Sequence, residues 1–115
     1  LWKVVAKVDK KLISDCRNHP FKRGWNKADE SGRIWINYNE RYNSGFHMFT
    51  SQKGARSWGV DSNAEALIPV YIMPKDIIVT GVQDNFNCVV AKRMWIEPHD
   101  YAKALKKINM FRIKL

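Results

Sequence analysis

Gly45-Phe46-His47-Met48-Phe49-Thr50-Ser51-Gln52-Lys53-Gly54-Ala55-Arg56-Ser57-Trp58-Gly59 contains the change of period that decides the fold. Alternation over 45–50 puts Phe46, Met48 and Thr50 on one face and His47 and Phe49 on the other, which is a strand pattern. Ser51 then stands where an N-cap hydroxyl would accept a helical N–H. Ala55 and Trp58 repeat at i, i+3 across a predicted short helix over 52–58, and Gly59 suits its end. A strand that turns into a helix through a serine points to a fold of mixed type.

Strand patterns surround this element. Leu1 to Val8 is β-branched with interspersed lysines, and Asp9-Lys10 separates it from Lys11 to Ser14, which predicts a hairpin. Between Asn18 and Gly32 the period disappears, and His19-Pro20, Arg23-Gly24 and Ser31-Gly32 mark an irregular basic loop. Arg33 to Tyr38 is a strand and Glu40 to Ser44 a polar turn. Leu67 to Met73 is strand-like, with Pro69 placing it at an edge or bulge. Pro74-Lys75-Asp76 is a turn, Ile77 to Thr80 a strand, and Gly81 to Asn87 a loop.

Asn87 to Glu97 is the longest strand candidate, with an apolar run suited to a central position. Pro98 opens a second helix with Tyr101, Leu105 and Ile108 in one stripe and Lys103, Lys106 and Lys107 toward solvent and the C-terminal end. The tail Asn109 to Leu115 alternates at strand period and is expected to join a sheet, either its own or a neighbouring copy's in a homo-oligomer. The expected architecture is α+β: a strongly bent antiparallel sheet or open barrel with two short helices, in a single domain over 1–115.

Twenty Lys and Arg against eleven acids give a net charge of +9, which favours anionic partners or, alternatively, simply makes a solubility surface. Five tryptophans can fill a core or stack on bases and rings. No apolar run of transmembrane length occurs, so no membrane partner is expected. Cys16 and Cys88 form no C-x-x-C pair; they could join in a disulfide, but reduced thiols in a cytoplasmic protein are expected. His19, His47 and His99 are isolated, so no metal set is read, and no cofactor is inferred.

Two clusters and a loop could hold an anion. The first loop offers Arg17, Lys22, Arg23 and Lys27 for phosphate, Phe21 and Trp25 for stacking, and Asn26 for a base edge. Trp25 could equally be tucked into the core. Lys53 and Arg56 share the neighbourhood of His47, where the helix amides after Ser51 would add an anion site. The segment around Phe86 and Asn87 offers amides and a ring. His47 reads either as a general base or as a packed, hydrogen-bonded residue. Ser44, Ser51 and Ser57 have no recognisable base and orienting group, so no catalytic set emerges.

The G-F-H-x-F-x-S-x-x-x-A pattern of Gly45 to Ala55, with the opening K-V-V strand, L-I-S and the closing V-V-A-K strand, resembles small, mostly phage-encoded β-rich proteins. It is broadly similar to the phage Thoeris anti-defence sponges. That resemblance implies a non-enzymatic oligomer in a host cytoplasm that sequesters a cyclic ADP-ribose signal. Gly45, Phe49, Ser51 and Trp58 are also similar to a strand–helix element of ADP-ribosyltransferases, whose catalytic glutamate and nicotinamide-flanking tyrosines find no match here. The leading expectation is non-catalytic binding and sequestration of a phosphate-bearing, nucleotide-like ligand. The alternatives are a sequence-tolerant nucleic-acid binder and an inhibitor covering an acidic host protein.

Overall fold

In the computed structural model the strand pattern around Phe46–Phe49 lies inside a six-stranded antiparallel sheet. The structure describes residues 1–8, 10–14, 19–28, 33–36, 40–43, 45–57, 65–83 and 85–108, the segments 33–36 and 40–43 by backbone only. Three strands open the chain, β1 (Trp2–Val8), β2 (Lys11–Ser14) and β3 (Gly24–Lys27), and β4 (Arg33–Ile36), β5 (Glu40–Asn43) and β6 (Phe46–Phe49) follow. Helix α1 (Gln52–Arg56) precedes β7 (Glu65–Pro69), a 3-10 turn at Pro74–Asp76 and β8 (Ile77–Gln83). The remaining elements are β9 (Phe86–Ala91), β10 (Arg93–Ile96) and α2 (Pro98–Lys107).

β1 organises the large sheet. One of its edges carries β7, from Trp2↔Pro69 to Ala6↔Glu65. The other carries β2, from Val5↔Ser14 to Val8↔Lys11, and meets β6 at Trp2↔Phe49. β6 then pairs with β9, and β9 with β8. Separate two-stranded ladders join β10 to β3 and β4 to β5. The fold is therefore α+β, antiparallel, with two helices, and among the described strands the sheet does not close into a barrel.

The alternation in the central strands divides the core. Val5, Met48 and Val89 face the principal cluster, which Phe21 ahead of β3, Met94 and Ile96 of β10, and Tyr101, Ala104 and the capping Ile108 of α2 complete. Val4, Phe49 and Cys88 point to the opposite face, where Ala55 of α1 covers them. The face assignment expected for Phe46, Met48 and Phe49 is the one observed. Burying a large apolar side chain is worth about 1.5–3 kcal/mol, so this parity fixes the register strongly.

Five boundaries differ from expectation: the strand read over 67–73 is β7 over Glu65–Pro69, with Tyr71 left to bridge Trp95, and the other four differ for the following tertiary reasons. The 87–97 segment is two strands, because Lys92 leaves the sheet: its N–H goes to Asp76 O at 2.9 Å and its carbonyl takes Ala28 N at 2.8 Å. The first loop contains β3, which pairs with β10 through Trp25↔Trp95. Glu40–Asn43 is a strand returning along β4, with Tyr42 opposite Ile34. The loop expected over 81–87 shrinks to a tight hairpin closed by Gln83↔Phe86, with Asn85 at φ 70°, a conformation Asn tolerates well. The C-terminal tail, Trp58, Gly59 and Cys16 lie outside the described residues. Among those described, no helix is long and apolar enough to cross a membrane.

Candidate functional site

The G-F-H segment is occupied by packing. A Cβ on Gly45 would lie 2.8 Å from Ala91 O and 2.8 Å from Ile78 Cδ1, so glycine is needed for this close approach to β9 and β8. Phe46 and Phe49 are buried on opposite faces. Ser51 Oγ accepts Gly54 N at 3.0 Å, the capping role expected of it. That bond removes one amide from the anion site anticipated there, and five residues make a weak dipole. His47 is half-buried opposite Val90, and its carbonyl accepts Lys3 Nζ at 2.6 Å. Lys53 and Arg56 are exposed on α1.

Phe86 does not offer the exposed ring expected of it. It is half-buried against the Val4, Phe49, Ala55 and Cys88 cluster, while neighbouring Asn87 is exposed and its carbonyl accepts Thr50 N. Burial pushes the Cys88 thiol above its ordinary value, and Lys3 and a backbone bond to Met48 oppose that only in part. Cys88 forms no disulfide.

The first loop divides by parity. Phe21 is 2% exposed and packs edge-on to Phe46, so its ring has no face for a base. Asn26 is 3% exposed, its Oδ1 takes Lys22 N at 2.9 Å, and its Nδ2 donates to Lys22 O and Gly24 O. It closes the turn in which Gly24 adopts φ +85°, and so its amide is not available to read a base edge. Arg17 lies outside the described residues. Arg23 and Trp25 remain accessible. The Arg23 guanidinium sits 4.4 Å over the Tyr101 ring of α2, and Trp25 is 40% exposed.

Trp25 belongs to a row that sequence reading missed. It opposes Trp95, with ring centroids 5.5 Å apart, and Trp95 in turn opposes Tyr71 through a reciprocal pair of backbone bonds at 2.7 and 3.1 Å. Residues directly opposed in antiparallel pairs share a face, so Trp25, Trp95 and Tyr71 line one outward surface. Tyr71 is 55% exposed. Arg93 also points outward, 4.7 Å over Trp25, with Nε on the buried Asp76 carboxylate at 3.0 Å. Glu97 accepts Trp95 Nε1 at 3.2 Å.

Segments 19–28, 71–77 and 92–97 together carry Lys22, Arg23, Lys27, Lys75, Lys92 and Arg93 against the acids Asp76 and Glu97, both hydrogen-bonded. The sequence signal for this surface was the alternation Arg93/Trp95 against Met94/Ile96, hidden because 87–97 read as one central strand. Lys53 and Arg56 cannot join it, because α1 covers the Phe49–Cys88 face whereas β3 and β10 lie on the Met48–Val89 face. Among the described residues no cluster of His, Cys, Asp and Glu could hold a metal ion. Compared with known proteins, the chain matches no family model, no curated protein and no solved structure.

Proposed function

We propose that the chain is a non-catalytic binding protein for a phosphate-bearing, nucleotide-like ligand held on the outward face of β3, β10 and Tyr71. The supporting observation is the row Trp25–Trp95–Tyr71, whose two ends are exposed, with the directly opposed Lys27 and Arg93 on the same face. Aromatic faces stack on any base, and arginine forks and lysines neutralise phosphate. Two of the serines weighed as nucleophiles are engaged locally: the Ser51 hydroxyl caps α1, and Ser57 Oγ donates to Gly54 O. Neither has a described base beside it, which favours binding over turnover. Sequestration of a cyclic nucleotide signal is the small-ligand form of this reading.

A thermal-shift panel of mono-, di- and cyclic nucleotides tests it. Stabilisation should grow with ligand excess as mass action requires and should be reduced at every ligand concentration in Trp25→Ala. The ligand should be recovered chemically intact. A panel without any response would sink the reading, and a degraded ligand would make the protein an enzyme.

A further inference from the structure

Exposed lysines continue beyond the aromatic row, on α2 and on the β1–β2 hairpin. Cross-strand neighbours lie about 4.8 Å apart, so the row from Trp25 through Trp95 to Tyr71 spans about 10 Å, some three times the rise per nucleotide of a stacked strand. α2 begins directly after β10 and runs ten residues, about 15 Å, away from that row. Its second half exposes Lys103, Lys106 and Lys107. Lys7 Nζ donates to Leu105 O at 3.2 Å, which fastens the β1–β2 hairpin to this end of α2 and brings the exposed Lys10 and Lys11 with it. Arg23, two residues before Trp25, stacks on Tyr101 of α2 and so ties the β3 segment to that helix. Glu97, exposed at the cap of α2 and hydrogen-bonded to Trp95, and Asp100, half-buried in its first turn, are the acids along this path.

A single nucleotide would use only the aromatic end. From the combination we infer that the occupant is a single-stranded nucleic acid several nucleotides long. Its bases stack on Trp25, Trp95 and Tyr71, and its backbone passes Arg23 toward Lys106 and Lys107. Single strands fit this surface because a duplex hides its base faces, whereas surface aromatic rings accept unstacked bases without reading sequence. The inference rests on the ligand surface proposed above and adds the length and strandedness of what it takes.

Fluorescence anisotropy with a labelled dodecathymidylate tests it, with thymidine monophosphate, an unlabelled dodecamer and a dodecamer duplex as competitors. The dodecamer should outcompete an equal nucleotide concentration of the monophosphate by at least about tenfold and should quench tryptophan emission. Log affinity should fall linearly with log salt, and Lys106→Glu/Lys107→Glu should flatten that slope by about 1.4, from about 0.7 per phosphate released. Monophosphate binding should be unchanged in that variant. A monophosphate that competes as well as the dodecamer would overturn this inference and leave the smaller-ligand reading standing. A duplex that competes equally would overturn strandedness. Binding of neither dodecamer nor monophosphate would remove the ligand surface itself.

Discussion

The segment Gly45–Ala55 and the face made by β3 and β10 contain similar residue types, yet one is buried in the fold and the other is left open. In the first, glycine, two phenylalanines, a serine and an alanine each meet a packing or capping need, and only His47, Lys53 and their polar neighbours reach water. In the second, the two-stranded ladder has one face on the core through Asn26, Met94 and Ile96, while nothing described covers the other. A distinctive motif therefore marks a demanding piece of packing here. The binding chemistry lies in residues whose sequence context is ordinary.

The largest effect that would break this comparison is a stability difference between two aromatic truncations. Phe49→Ala empties the space under α1 and should cost about 4 kcal/mol, a typical value for a buried phenylalanine. Trp25→Ala should cost about 1–2 kcal/mol, the combined value of an edge-on ring pair and a half-exposed cation contact, while weakening nucleotide or oligonucleotide binding about tenfold. Urea titration of both variants, read beside the binding assays, decides it. Equal destabilisation would mean that Trp25 serves the core after all.

A smaller effect sharpens the parity argument within β3 itself. Asn26→Ala removes a buried amide and leaves Lys22 N, Lys22 O and Gly24 O without that partner, and should cost about 2 kcal/mol. Ligand affinity of the fraction still folded should be unchanged, because Asn26 faces inward. Loss of affinity without loss of stability would restore it as a base reader. On the other side of the sheet, Ser51→Ala should cost about 1 kcal/mol as an N-cap deletion, with no change in ligand binding.

The sequence revealed those elements whose local period and partners agree. Strand β6, the Ser51 cap, the β1–β2 hairpin and α2 were legible because alternation, capping and the i, i+4 stripe are properties of contiguous residues. β3 was not, since Gly24-Trp25-Asn26-Lys27 has little strand character alone and is extended by pairing with β10. The break at Lys92 was hidden for the same reason: an uninterrupted apolar run gives no local sign that Asp76 and Ala28 will take its backbone bonds. Arg23 and Trp25 could be picked from the candidate site by residue type alone. Trp95, Tyr71 and Arg93 could not, because what unites them is register between strands distant in the chain.

The smallest expected effect concerns Cys88, which lies under α1 with the G-F-H packing. Its thiol is held above the ordinary value of 9.0, chiefly because burial disfavours the thiolate. The folded state therefore keeps a proton that the unfolded chain releases first as pH rises. With fewer protons bound in the unfolded state, stability must fall with increasing pH. The contribution is fully present below the unfolded-state value and is lost as pH climbs through the folded one. Urea midpoints between pH 8 and pH 10 should decline more steeply in the parent protein than in Cys88→Ala, which lacks the group, by less than any substitution above produces. The same burial should keep Cys88 unreactive toward a maleimide at neutral pH in a Cys16→Ser background until urea unfolds the chain. Identical pH slopes, or labelling of the folded protein, would show that the cover α1 gives this face is looser than its packing indicates, and the contrast with the open β3–β10 face would narrow accordingly.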